Sequence, residues 1–537
     1  MKITCLGGVR TVTGSCYWCR HKAGSFLLDC GMYQGSKKIE ERNWTEFPFV
    51  PKEIQAVLLT HAHIDHSGLL PRLVREGFEG AIYATPATID LCAIMLPDSA
   101  HIQEMESLWQ SRKNVRNGRD PLEPLYTRAD ADKTLQYFQP VHYNTPITIT
   151  DGMEVCFRDA GHILGSAIVE VSFPANDDTK KLVFSGDLGN RGQPIVRDPD
   201  SIDSADYVFV ESTYGNRLHR SLEETIEEFA KILIEAVHQG GKVIIPAFAV
   251  ERTQEVLYSL HTLEKQGKIP AIPTFVDSPL AISATEIFRK HPECFDKESL
   301  EMLLQDDSPL SRKSLTFTRT TEESRALNDL DGPAIIISAS GMCDAGRIKH
   351  HLKHNVWKPE TQVVIIGFQA QGTTGRRLVE GHKRIRLFQE DVAVRAKVHT
   401  LGGFSAHADQ KGLLEWLSTM KESNPMVYVV HGEEDISLEF AGRLKQEFSF
   451  PVYTPFLGET ISLLDGPKVQ EMKPVIPEVE MREQKAHMMV KRLQELVGRM
   501  SSQRWEEEPF LRHRVERQLG KLDKVVEKLE GILDEGA

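Results

Sequence analysis

A chain of 537 residues with 40% hydrophobic content can bury more than one core. Its formal net charge of -13 excludes binding nucleic acid by whole-surface attraction, though not through a local basic or metal-lined cleft. Eight cysteines spread over this length do not make the disulfide framework of a small secreted domain, and no apolar run is long enough for a membrane span, so a reducing cytoplasm is expected.

To about residue 470 the pattern is α/β. The opening Met1-Lys2-Ile3-Thr4-Cys5-Leu6 reads as a strand, because Gly7 and Gly8 interrupt it too soon for a secretory leader. Cys16-Tyr17-Trp18-Cys19 is a lone C-x-x-C without a second pair, and reads as alternation on an early strand. Runs rich in Val, Ile and Leu predict strands at 56–59, 182–184, 207–210, 243–245, 334–337, 363–366 and 427–430, with helices at 222–238 and 252–263. Polar groups follow several of these strands directly: Thr60-His61-Ala62-His63, Ser185-Gly186-Asp187, Glu211-Ser212-Thr213, Ser338-Ala339-Ser340-Gly341 and His431-Gly432-Glu433. The C-terminal ends of buried strands are where α/β sheets assemble active sites. After residue 470 the strand signals stop. Pro474 and Pro477 mark a linker, and Val515, Leu519, Leu522, Val526, Leu529 and Leu533 form a heptad-like stripe. A helical hairpin is expected there, packed on its own body or offered to a second copy or a partner protein.

His61-Ala62-His63-Ile64-Asp65-His66 carries three imidazoles and a carboxylate in six residues. Such a cluster is costly to bury without a cation and suits Zn²⁺, which accepts both ligand types. Four ligands are too few for two metals. His162, Asp187 and His431, each beside a glycine where the backbone can approach closely, are the further candidates.

This series, preceded by Asp29 in Leu28-Asp29-Cys30-Gly31, resembles the motif set of the metallo-β-lactamase superfamily. The resemblance implies two zinc ions per chain. One would take His61, His63 and His162, the other Asp65, His66 and His431, with Asp187 bridging and Asp29 orienting ligands and the nucleophilic water. Glu211-Ser212-Thr213-Tyr214-Gly215, Gly402-Gly403-Phe404-Ser405-Ala406-His407-Ala408-Asp409 and Val429-Val430-His431-Gly432-Glu433 resemble motifs A, B and C of the β-CASP nucleases. The fold implied is an α/β metallo-β-lactamase αββα sandwich over 1–212 and 396–470, with a β-CASP insert over 213–395 and a helical extension over 475–537. In that family a histidine at motif C accompanies RNA, so His431 favours RNA over DNA. Ser338-Ala339-Ser340-Gly341-Met342 is similar to the endonuclease subunit of mRNA 3′-end cleavage and its bacterial relatives, rather than to the 5′-exonuclease branch.

Phosphodiester cleavage needs a nucleophile, charge neutralisation and a proton for the leaving oxygen. A dinuclear zinc site holding hydroxide supplies the first two. His407 is the candidate acid, since imidazole titrates near neutral pH, and the resemblance gives Glu211 the part of orienting it. Catalytic residues are thus expected at His407, Glu211, Asp65 and Asp29. Ser405, Ser340, Gly341 and Arg376 are candidates for holding flanking phosphates, with Arg347 a weaker one. A thioesterase or lactonase of the same fold would share the metal ligands without needing the insert, Glu211 or His407. A DNA nuclease is disfavoured by His431, and a ligand-poor scaffold by the complete ligand set.

Overall fold

Period-two alternation sorts strand side chains between opposite faces of each sheet. In Gly24–Leu28, Phe26 and Leu28 enter one core and Leu27 another. In Tyr207–Val210, Phe209 points inward while Val208 and Val210 point outward. The computed structural model describes residues 1–464 except 151, 176–177, 306, 368 and 371. The helical hairpin expected over 475–537 lies outside the described residues.

Two seven-stranded sheets face each other across a core that includes Ile3, Tyr17, Phe26, Phe157, Val171 and Tyr428. The first runs in the order Thr460–Ser462, Lys2–Gly7, Cys16–His21, Gly24–Leu28, Ala56–Leu58, Ala81–Ala84 and Phe138–Pro140. The second runs Val452–Tyr453, Met426–Val429, Tyr207–Val210, Asp178–Phe184, Ala167–Ala175, Met153–Asp159 and Ile147–Thr150. Helices Leu70–Arg75 and Pro86–Arg116 cover the first sheet through Leu70, Leu73, Leu91 and Leu96. Gln410–Ser418 and Glu434–Phe448 cover the second through Leu413, Trp416, Phe440 and Leu444. This is the αββα sandwich. Cys16 and Cys19 fall in opposite cores, which removes them from any joint chemistry.

Tyr207–Val210 pairs in parallel with Asp178–Phe184 on one side, and on the other with Met426–Val429 far along the chain. Between them the chain builds a parallel six-stranded sheet ordered Leu315–Phe317, Thr274–Val276, Ala334–Ser338, Lys242–Pro246, Gln362–Ile365 and Lys397–Thr400. Its helix Leu222–Gln239 begins at Ser221, whose side chain accepts from the Glu224 amide, and Glu223 and Glu224 complement the positive end of the helix dipole. Phe229, Leu257 and Ile287 of this inserted layer share a continuous core with Leu70 and Leu91, so the insert is packed onto the sandwich. The sheet's last strand reaches past residue 395, where the sequence suggested the insert would end. Lys397-Val398-His399-Thr400 carries a single apolar residue and gives no strand signal of its own. Among the described residues, no helix is long and apolar enough to cross a membrane, and all eight cysteines are free and buried.

Candidate metal centre

Loops leaving four strands of the two facing sheets converge on Asp187. Its Oδ2 lies 3.5 Å from His61 Nε2 and 3.6 Å from His162 Nε2, and its Oδ1 lies 3.3 Å from His66 Nε2 and 3.5 Å from His431 Nε2. His63 Nδ1 completes the first group, 3.1 Å from His61 Nε2 and 3.3 Å from His162 Nε2. Asp65 Oδ2 completes the second, 3.9 Å from both His66 Nε2 and His431 Nε2. The carboxylate thus spans two groups of ligand atoms, each compact enough to hold a cation.

The backbone around these ligands is fixed by close approach. A Cβ on Gly31 would stand 1.6 Å from the Asp65 carbonyl oxygen, so only glycine lets the Asp29–Gly31 loop lie against the ligand turn. There Cys30 N donates to His66 O and Met32 N to Ile64 O. Asp29 then serves three donors: Thr60 N at 2.8 Å, Thr60 Oγ1 at 2.9 Å and His66 Nδ1 at 2.7 Å. With Nδ1 so occupied, His66 turns Nε2 to the centre. Ser15 Oγ does the same for His431, at 2.8 Å from Nδ1, and Thr60 Oγ1 lies 3.0 Å from His61 Nδ1. Such outer contacts fix ring orientation and tautomer at metal sites.

Two buried atoms at the centre, His66 Nε2 and Asp187 Oδ1, have no hydrogen-bond partner. Buried polar groups are normally satisfied. Imidazole nitrogens 3.1–3.3 Å apart with carboxylate oxygens beside them are the donor set that a divalent cation requires. The residues fit a metal. Burial pushes His63 down to about 4 and holds His61 and His162 well below the usual histidine range, which keeps them in the neutral, ligating form. Burial would raise Asp187, but the His431 and His66 imidazoles outweigh it and keep the carboxyl well below the usual range.

At the edge of this cluster His407 Nε2 lies 4.0 Å from Asp187 Oδ2, and its Nδ1 donates to Glu211 Oε1 at 3.0 Å. Glu211 is completely buried and also accepts from Leu188 N at 2.7 Å and Thr213 N at 3.2 Å. The His407 loop is stitched to the Asp187 loop by Ala408 N donating to Leu188 O and Asn190 N to Ala406 O. His219 Nε2 donates to His407 O. Burial lowers the His407 imidazole's affinity for a proton, yet the charge and hydrogen bond of Glu211 outweigh it and raise its pKa.

Among the phosphate-holding candidates, Ser405 sits half-buried in the His407 loop. Ser340 Oγ is turned back onto Ala345, donating to its carbonyl at 3.3 Å. Gly341 lies under the Phe248 ring. Arg376 is held by Glu380 one helical turn on, at 2.8 Å. Arg347 is not a free cation: it pairs at 2.7 Å with the fully buried Asp277, which also takes His351 Nε2 at 2.6 Å. Sequence reading treated it as a solvated face or phosphate contact because the anion that neutralises it lies seventy positions earlier in the chain. Ser15 and Thr60 were missed as orienting groups, as was Glu251, whose Oε2 accepts from Leu164 N at 3.2 Å beside the His162 loop. Only Thr60 left a trace, in the polar run Thr60-His61-Ala62-His63 that follows a strand.

Three family models cover this architecture: the metallo-beta-lactamase superfamily at residues 9–246, the Beta-Casp domain at 253–378 and the Zn-dependent metallo-hydrolase RNA specificity domain at 391–455. The chain is 41% identical over 435 residues to Ribonuclease TTHA0252 of Thermus thermophilus, covering 81% of this chain and 94% of that protein. It belongs to the β-CASP family of metal-dependent ribonucleases. Other β-CASP relatives are the Transcription termination factors FttA of Methanocaldococcus jannaschii and Pyrococcus abyssi. The first is 29% identical over 470 residues (85% of this chain, 70% of that protein), the second 30% over 482 residues (86% and 71%).

Proposed function

We propose that the chain is a zinc-dependent endoribonuclease carrying two zinc ions, with His407 as general acid. The observation that carries this reading is Asp187, set between two compact ligand groups with the His407–Glu211 pair at its edge. His61, His63 and His162 would hold one ion, Asp65, His66 and His431 the other, and Asp187 both. When bound, such a pair of ions activates water and neutralises charge on the phosphate.

The chain's own residues do the rest. His407 presents Nε2 to the cleft while Glu211 holds Nδ1, so the proton available to the leaving ribose oxygen sits at a fixed atom. Asp29, Ser15 and Thr60 keep the ligating imidazoles in register before any substrate arrives. A thioesterase or lactonase would have no use for the insert or the Glu211–His407 pair. The eight buried free thiols suit the cytoplasm. We place the junction between insert and returning catalytic chain after Thr400, and assign assembly with a second copy or partner to the segment from 475.

The test combines elemental analysis with linear and circular RNA carrying internal label. Two zinc per active chain and cutting of the circle are expected. Degradation of linear RNA alone would make the protein an exonuclease, and active protein with one or no transition metal would overturn the dinuclear site.

A further inference from the structure

The loop that follows Lys242–Pro246 in the inserted sheet buries Ala247, Ala249 and Val250 almost completely, yet leaves Phe248 42% exposed. Phe248 takes no part in the apolar cores of the described residues. Mobility does not account for the exposure, because the backbone is pinned on both sides of the ring. Ala247 N donates to Ser338 O, Thr253 N and Oγ1 both donate to Phe248 O, and Gln254 Nε2 donates to Ala249 O.

One side of the ring is occupied. A Cβ on Gly341 would stand 3.0 Å from it and one on Gly367 3.7 Å from it, so the phenyl rests near two glycine backbones at the C-terminal ends of adjoining strands. The same loop continues into Glu251, whose carboxylate grips Leu164 N two residues beyond the metal-site His162. An aromatic ring is therefore displayed, on a pinned backbone, in the insert loop whose Glu251 reaches the loop that carries His162.

We infer that Phe248 is a base-stacking subsite, receiving one nucleobase of single-stranded RNA next to the phosphate being cut. The inference rests on the ribonuclease reading and deepens it. An aromatic face accepts any base, because every base has a π-face, and single-strand binders use such faces for grip without sequence reading. A pinned ring loses little freedom on binding, so more of the stacking energy appears as affinity. The net negative charge of the chain makes such a neutral contact more valuable, since bulk charge does not hold the RNA. Phe248 is a positioning residue: it holds a base, and through it the adjoining phosphate.

The experiment uses zinc-loaded full-length protein and a fluorescent single-stranded RNA, with a second series carrying one abasic nucleotide at successive positions around the cut. Phe248→Ala should raise KM about tenfold with kcat little changed, and Phe248→Trp should restore it. One abasic position should raise the wild-type KM by the same factor and add nothing in Phe248→Ala, since the two changes remove one contact. Phe248→Leu, which keeps the apolar bulk, carries the same comparison if the alanine variant loses zinc or melts early. Wild-type KM in Phe248→Ala, or abasic penalties that add fully to the mutation, overturns the inference while leaving the ribonuclease reading intact. Wild-type protein that hydrolyses a nitrophenyl phosphodiester but leaves RNA whole overturns the ribonuclease reading, and the base subsite with it.

Discussion

His66 Nδ1 lies 2.7 Å from Asp29 Oδ2, and both side chains are almost wholly buried. The same carboxylate holds the amide and hydroxyl of Thr60, which in turn touches His61. Asp29 therefore reaches one imidazole in each of the two ligand groups. Asp29→Asn presents amide hydrogens where donors already point. It should lower zinc affinity or RNA cleavage by roughly 10- to 100-fold. Zinc retained after dialysis against graded chelator, read beside RNA turnover, checks this; unchanged values in both would reduce Asp29 to a packing group.

His407 stands beside the ligand groups, its ring 4.5 Å from that of His162, and the proposed mechanism gives it a role apart from metal binding. His407→Ala should keep both zinc ions while RNA cleavage falls by about 10²–10⁴-fold, the usual contribution of a positioned acid. A nitrophenyl phosphodiester, whose leaving group needs little protonation, should show a much smaller penalty. Equal losses on the two substrates with zinc retained would make His407 a phosphate contact. Glu211→Gln should resemble a milder form of the same lesion.

The pair of Asp277 with Arg347 in the insert gives a stability prediction with a definite sign. Burial alone would raise the Asp277 carboxyl, but hydrogen bonds from His351, Ser324, Thr318 and Arg347 hold it well below the usual carboxylate range. A carboxyl depressed in the folded state stabilises above its unfolded pKa, and that contribution is lost as pH falls. Arg347→Ala should therefore cost about 2 kcal/mol at neutral pH, with the gap to wild type persisting to about pH 4 and closing only as pH falls further toward the depressed Asp277 pKa. Melting curves at about pH 7, 4 and 2.5 test this. KM for RNA should stay within about twofold, since the cation is already spoken for; a large rise in KM would return Arg347 to the substrate.

Every candidate ligand falls between Asp29 and His431, and the first sheet is complete by Thr460–Ser462. Truncation after residue 473 should leave zinc content and cleavage of short RNA intact while changing the mass of the assembly. Equal sedimentation of full-length and truncated protein would exclude the tail from assembly.

The gathering of the candidate ligands was legible in the sequence because metal chemistry restricts residue type, and a strand end restricts spacing. His61, His63, Asp65 and His66 announce themselves within six positions. His162, Asp187 and His431 needed the motif series, since a lone histidine after a strand is common. Ser15 and Glu251 were not legible: each acts through one contact with residues far along the chain, and serine or glutamate alone signals nothing. Arg347 misled for the converse reason, because the anion that engages it is fixed only by folding. The polar strand Lys397–Thr400 was not legible, since its partner supplies the order that its own residues do not.

The order in which the ligands occur along the chain bears on when the enzyme comes alive. His61, His63, His162 and Asp187 are synthesised early, but His431 follows the whole insert, and the strand Met426–Val429 that carries it pairs with Tyr207–Val210 across that interval. The first strand, Lys2–Gly7, receives its outer neighbour only from Thr460–Ser462. A chain still emerging from the ribosome thus carries the first ligand group and Asp65 and His66 of the second, but lacks His407 and His431 until the insert is finished. The site is therefore closed only by the return of the chain after the insert, when nearly all of the catalytic fold has been made.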